Sequence, residues 1–529
     1  MAILSVKLHA AAPPPMHGIS VAPFLLGVAF AGLLAAAAEA EEIVVAFGAE
    51  PTQVEPTRAT AGVDAYFVSL FYEQLLNVDP ELERINWLAE SWSFDRAGAD
   101  HVLSVTLREG VKFHNGDTLS AHDFRFAYER QRDPMSRAAG RFRYVRDLVV
   151  HDDRRFAIVF DEPDAAFVPW NLALWAVPRR HFEAVGEVGM QMHPVGTGPW
   201  KFVSRKPREE LVVERFEDYW NAGAKPRAKR LVIKIIPEDT TRVAAFKTGE
   251  VDWIDAVPPA QVQAFSRIPG VRTVSLPGPN NLYIGMHATD PRHPLADVRV
   301  RRAVAHAIDV DAIVEYVVHG QGIRTAQLAP GSVGYDAALE PYPYDPDRSR
   351  ALLAEAGYPR GIRVNCYNLT TPREPNIKEV GEAVFAFLSA AGIRCRIEQM
   401  EYGAWINLLR VASRPRMDGI ISAMWGHGLP ADPTDAWSGH LHTSTDAWGR
   451  NSYHSDPMFD GLVESLRTTM DPGARYRLAT RIARLKHEQV AGGLPTYRPM
   501  ISLAWRDKIA FRPWPAAGWR SMYEIDLAR

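Results

Sequence analysis

Two neighbouring stretches, "WGHGLPADP" at 425–433 and "WSGHLHTSTD" at 437–446, concentrate side chains that can do chemistry. They hold Trp425, His427, Asp432, Trp437, His440, His442 and Asp446, with Tyr453 and His454 a little further on. Such a set suits a metal site, a catalytic constellation or the wall of a pocket for an organic solute. On a strand, His440-x-His442 would put both imidazoles on one face, and His427 with a carboxylate such as Asp432 would complete a first shell. His427, His440 and His442 are therefore the metal candidates. Against them, 17 His in 529 residues will cluster somewhere by chance, and no Cys lies nearby. Trp425, Trp437 and Tyr453 instead suit a sandwich around an apolar or planar ligand, or plain core packing.

Motifs for catalysis are missing. The chain has no G-x-S-x-G, no Walker loop and no G-x-G-x-x-G after a strand. "KHEQVA" at 486–491 begins like a zinc-protease helix but lacks the second His. "GTGPW" at 196–200 lacks the Lys-Ser/Thr of a phosphate loop and reads as a tight turn before a strand. Neither a reaction nor a cofactor is expected.

The bulk properties narrow the class. A chain of 529 residues exceeds one core, so two or three domains are expected. With 60 basic and 63 acidic residues the net charge is −3, which leaves no electrostatic footprint for nucleic acid. Lys7, an apolar run at 21–38 and Ala38-Glu39-Ala40 form the three regions of a cleaved signal peptide spanning 1–40; a single membrane anchor is the competing reading. Met16 is an alternative start. No Cys lies near the cleavage point, so an exported, soluble, non-lipidated protein is expected. Cys366 and Cys395 are the two cysteines, each at period two with apolar neighbours. Two buried thiols on adjacent parallel strands are favoured over a cross-strand disulfide.

The elements that must position these residues alternate strand and helix, which argues an α/β chain. Leu103, Val105 and Leu107 alternate with polar residues as a half-buried strand does. Ser120-x-x-Asp123 opens a helix carrying Phe124, Ala127 and Tyr128. Asp297 caps a helix whose buried face is Val300, Ala303, Val304, Ala307 and Ile308, and Asp345-Pro346 starts another that Gly357 stops. "IRVNCYN", the helical stretch 376–392 and "IRCRIEQM" then form a βαβ unit. No Pro/Gly/Ser-rich linker divides the chain, so its domains are expected to interleave.

Several blocks together resemble the family 5 extracellular solute-binding proteins, the dipeptide, oligopeptide and nickel-binding components of ABC importers. They are "LAESWSF", "LREGVKFHNGDTLSAHDFRFAYER", "GTGPWKFVS", "YWNAGAKPRAKRLVIKIIPEDTTRVAAFKTGEVD", "DVRVRRAVAHAIDVDAIV", "PYDPDRSRALLAEAGYPRG" and the helix 376–392, in the family's order. The resemblance implies an α/β, type II periplasmic-binding-protein fold: two hinged lobes, with an extra domain inserted in the first. Lobe I would be 41–77, 194–285 and 494–529, the insertion 78–193, and lobe II 286–493. "NNLYIGM" and "GGLPTYRP" would cross between lobes. It further implies a periplasmic monomer that captures a peptide or peptide-like solute, or alternatively a metal chelate, and docks on permease subunits in the inner membrane. An enzyme or sensory receptor on this scaffold is the remaining alternative.

The resemblance also points to ligand residues. Peptide-binding relatives place an ammonium-binding Asp after the equivalent of Trp425, where this chain has Gly428 beside His427; Asp432 is the candidate replacement. Arg373 is the candidate for a ligand carboxylate, a role that suits a guanidinium. Tyr283 would lie on the cleft floor, while Glu50 and Thr60 fall in the loop from which relatives touch ligand backbone.

Overall fold

A computed structural model describes residues 41–529 apart from 59–61, 80–83, 98–99, 134–143 (save 136 and 142), 166–173 (save 167), 279, 288–289, 371–375, 402–417 (save 404), 427–431, 442–455, 514–524 and 529. The expected signal peptide, 1–40, lies outside the described residues. Among the described residues, no helix is long and apolar enough to cross a membrane.

The backbone of the molecule is a mixed sheet of twelve strands among the described residues. Its main path runs Ile393–Met400, Ile362–Leu369, Gly419–Gly426, Asn280–His287, Leu494–Arg506, Trp253–Ile254, Glu42–Phe47, Arg230–Ile235, Glu210–Arg215, Trp200–Lys206. The 13-residue strand Leu494–Arg506 is the shared member. Its first half pairs with Asn280–His287 and Gly322–Arg324, and its second half with Val271–Pro277 and Trp253–Ile254. At about 3.3 Å per residue it spans roughly 40 Å, enough to serve two hydrophobic cores in turn.

Those cores are distinct. One gathers Leu282, Val304, Val384, Ile421 and Tyr497; the other Val45, Phe67, Val213, Trp253 and Trp505. A third, with Leu103, Phe124, Phe156 and Leu174, lies on a separate antiparallel sheet ordered Ala89–Ala97, Asp100–Leu107, Arg155–Phe160, Val145–Val150. A fourth packs Trp437, Phe459, Val463 and Ile482 between three helices.

Local signals act where the side-chain chemistry predicts. Ser120 N donates to Asp123 Oδ2 at 2.9 Å, and Ala121–Gln131 buries Phe124, Ala127 and Tyr128. Asp297 and Asp345 accept from the backbone of Arg299 and Arg348. Ile362–Leu369 and Ile393–Met400 pair in parallel through Ile377–Ala390, the expected βαβ unit. Joining that unit to antiparallel crossover strands makes the sheet mixed.

One expectation is overturned. Cys366 and Cys395 are bonded to each other, with Cα atoms 5.4 Å apart, rather than left as thiols. The ladder sets Cys366 opposite Ile397 and Val364 opposite Cys395, so the two side chains are diagonal neighbours on one face. Periodicity placed both on that face; only the register brings them within bonding distance.

Candidate ligand cleft

The crossover strands carry the first candidate residues. Asn281 is paired with Trp425, and Tyr283 with Ala423, in the ladder between Asn280–His287 and Gly419–Gly426. Tyr283 is buried against Gly493, whose φ is +97° and where a Cβ would come within 2.1 Å of the ring. A glycine is thus required there for two reasons, backbone conformation and space. Between the strands Asn280–His287 and Leu494–Arg506 and the helix Pro472–Gln489 lies a cavity of about 40 Å³, lined by Asn281, Tyr283, Leu328, Trp437, Lys486 and Pro495 among others. Trp437 is also 2% exposed and belongs to the helical core. It packs and walls the cavity at once.

Asp432 is occupied by its own fold. Its Oδ1 accepts from Thr434 N at 3.0 Å and Thr434 Oγ1 at 2.7 Å, capping Thr434–Leu441. Its Oδ2 faces Arg475, with Nε and Nη2 each 2.6 Å away. Arg475 Nη2 also donates to Thr434 Oγ1 at 2.6 Å, and Nη1 to the Leu466 carbonyl. Both partners of this pair are buried. The carboxylate proposed for a ligand ammonium instead fixes the helix that carries Trp437.

Glu50 is likewise engaged. Its Oε1 lies 2.6 Å from Arg205 Nη2, and Oε2 accepts from Arg208 N at 3.2 Å. Thr52 N donates to Asp64 at 2.7 Å, Val54 N to Gln191 at 2.9 Å, and buried Glu55 accepts from Thr57 Oγ1 at 2.6 Å. These bonds pin the loop on the strand Trp200–Lys206 and its neighbours, leaving Glu50 a positioning group in this structure. Thr60, Arg373, His427, Gly428, His442, Tyr453 and His454 lie outside the described residues. His440 falls in helix Thr434–Leu441 rather than on a strand, so the two-His spacing has lost its basis. Among the described residues, no three His, Cys, Asp or Glu side chains gather as a metal site requires.

A second polar cluster was invisible in the sequence. Asp164 and Arg467, both buried, form an ion pair at 3.2 Å. Ala165 N donates to the Arg467 carbonyl at 2.9 Å, Tyr144 OH to Glu464 at 3.2 Å, and the Arg467 guanidinium sits 4.8 Å from the Tyr144 ring centroid. Arg467 also donates to Ser438 Oγ at 2.9 Å. The segment 144–165 of the antiparallel-sheet unit is thereby tied to Pro457–Thr468 and Thr434–Leu441. Nothing in the spacing of these residues, some 300 positions apart, signals the pair.

Buried titratable groups elsewhere have structural explanations. Burial pushes the Glu73 carboxyl up, opposed by hydrogen bonds from Tyr219 OH, Trp220 Nε1 and Trp87 Nε1 at 2.7–2.9 Å. Burial holds the His114 imidazole down to about 4; its Nε2 contacts the Gly198 carbonyl at 2.9 Å and its Nδ1 accepts from Gly196 N at 3.2 Å. "GTGPW" is thus a turn clamped by a neutral histidine, and a Cβ at Gly196 would meet the Phe71 carbonyl at 2.0 Å.

A sheet whose halves share crossover strands, with separate cores on each side and an extra antiparallel unit, defines a binding protein of the type II periplasmic class. The chain belongs to the bacterial extracellular solute-binding proteins, family 5, whose profile (the family 5 Middle region) matches residues 83–459. Among its relatives, the glutathione-binding protein GsiB of Pectobacterium atrosepticum is 28% identical over 443 residues, covering 81% of this chain and 84% of that one. The fold is shared with the periplasmic binding protein DppA from Helicobacter pylori in complex with the peptide STSA, at a TM-score of 0.79, 23% identity, and coverage of 92% and 98% of the two chains. NikZ from Campylobacter jejuni in complex with Ni(L-His) superposes with a TM-score of 0.78 at 19% identity, covering 92% and 99%.

Proposed function

We propose that this protein is the periplasmic solute-binding subunit of an ABC importer, capturing a peptide or peptide-like solute between two lobes and presenting it to a membrane permease. It acts by binding and catalyses no reaction. The observation that carries this reading is the family match over 83–459, on a fold whose halves are joined by crossover strands. Lobe I is assigned to 41–77, 194–285 and 494–529, the insertion to 78–193 and lobe II to 286–493. Separate cores, one around Val304 and Val384 and another around Val45 and Val213, support a division into lobes, with the crossover residues Leu282 and Tyr497 packing into the first of them. Solute contacts to both lobes shift an open–closed equilibrium toward the closed form, which the permease recognises. The export reading has residues 1–40 cleaved and the mature protein an unlipidated monomer.

A peptide is favoured because GsiB and the Helicobacter protein are named for, or hold, peptides. A metal chelate is the second reading, favoured by Gly428 beside His427 where peptide-binding relatives carry Asp, and by the Ni(L-His) complex of NikZ. Arg373, Trp425, His427, Gly428, Trp437, Tyr283 and Thr60 remain the proposed ligand-facing set; Asp432 and Glu50 are assigned to positioning. Native mass spectrometry of protein from its own periplasm separates the two readings. Co-purified peptides sink the chelate; a metal with an organic chelator sinks the peptide. Gly428→Asp is expected to raise dipeptide affinity in calorimetry, and an unchanged affinity counts against the alignment that places it.

A further inference from the structure

The helix Pro472–Gln489 ends beside the crossover strand, and Lys486 in its last turn reaches into the cavity described above. The ammonium donates to the Gly493 carbonyl at 2.9 Å and sits 5.8 Å from the Tyr283 ring centroid. An ammonium has three donors, and this bond uses one. Among the described residues no Asp or Glu lines the cavity; its other polar side chains are Asn281, Tyr283, Gln327 and His487. The Asn281 amide is already directed at the Gln327 carbonyl, 3.3 Å away. Burial holds the Lys486 amine down to about 8, with no carboxylate acting in the other direction. Part of the side chain's surface is open, as the lining of a cavity must be.

A cation withdrawn from water without a counter-ion is unfavourable, and an entering anion would offset that cost. The cavity, about 40 Å³, has room for roughly three water-sized groups, the size of one carboxylate group rather than of a whole solute. Its remaining walls are apolar: Leu328, Trp437, Ala483 and Val490. We propose that this cavity is a carboxylate subsite, in which Lys486 pairs with the carboxylate of a short apolar acid or with the carboxylate end of a captured solute. The "KHEQVA" stretch, which fails as a zinc motif, then supplies an anion anchor at the hinge strands.

The test uses the full mature chain with propionate and propionamide as probes in isothermal calorimetry. At about pH 6.5 the wild type binds propionate and ignores the amide; at about pH 9.5, where the amine is mostly neutral, affinity falls more than about tenfold. The other titratable groups at the cavity, among the described residues, are Tyr283 on the strand and His487 on the same helix; Glu488, the next residue, is exposed and outside the lining. Lys486→Met is expected to abolish binding; if that variant does not fold, the wild type's pH dependence and amide control decide the question. Equal binding of propionamide, undiminished binding by Lys486→Met, or no propionate binding at either pH overturns the proposal. Competition by Ala-Ala but not Ala-Ala amide assigns the carboxylate to a solute, while additive binding assigns it to a free acid. The inference stands apart from the solute-capture reading: peptides binding with no propionate site would sink this proposal alone.

Discussion

Asp432 and Arg475 decide what the Asp-Pro of "WGHGLPADP" does. A buried carboxylate with two guanidinium contacts and two helix-capping contacts has little left for a ligand ammonium. Arg475→Met leaves that carboxylate without its cation in a site that excludes water, so urea unfolding is expected to show a loss of about 3–5 kcal/mol. A loss under 1 kcal/mol would mean the pair is not buried in solution. His114 is the corresponding case for protons. Its folded pKa, about 4, lies below the ordinary 6.5, so the unfolded chain binds the extra proton first. The stability it confers is complete above about pH 6.5 and declines as pH falls toward 4, by up to about 3 kcal/mol. His114→Gln, which keeps a donor and an acceptor but does not titrate, is expected to flatten that part of the stability–pH curve.

Strands and turns set the geometry of the candidate cleft. Gly493 lies between helix Pro472–Gln489 and the start of the shared strand, with Tyr283 directly over its Cα. Gly493→Ala adds both left-handed strain and a clash, so a cost of at least about 2 kcal/mol is expected, measured by thermal unfolding. A partial rescue by Tyr283→Ala, which removes the clash but leaves the strain, would separate the two causes. The Cys366–Cys395 bond closes a chain segment of 29 residues across two parallel strands. Reduction is expected to lower stability by about 3–4 kcal/mol, because the open chain regains that loop's freedom. Dithiothreitol with no effect on the unfolding midpoint, while mass spectrometry shows two free thiols, would contradict this.

Across the whole molecule, Arg467 joins what the chain separates. It reaches Asp164 and Tyr144 on the antiparallel-sheet side and Ser438 on the helical side. Arg467→Met removes the shared cation, and the expected outcome is an increase in radius of gyration by small-angle scattering without solute, with solute restoring the compact form. An identical scattering profile for variant and wild type would show that this contact does not hold the halves together. The amino-acid sequence by itself determined the α/β alternation, the caps at Ser120, Asp297 and Asp345, the βαβ unit and the family, because each depends on neighbours a few residues apart or on the order of local motifs. The resemblance named Tyr283 and the aromatic pattern named Trp437, and the structure brings both to the lining of one cavity. Only the tertiary structure decided that Asp432 belongs to Arg475, that Glu50 belongs to Arg205, that the two cysteines bond and that Lys486 faces a cavity with no carboxylate in its lining. Those outcomes depend on strand register and on partners tens to hundreds of residues apart, and local spacing carries no information about either.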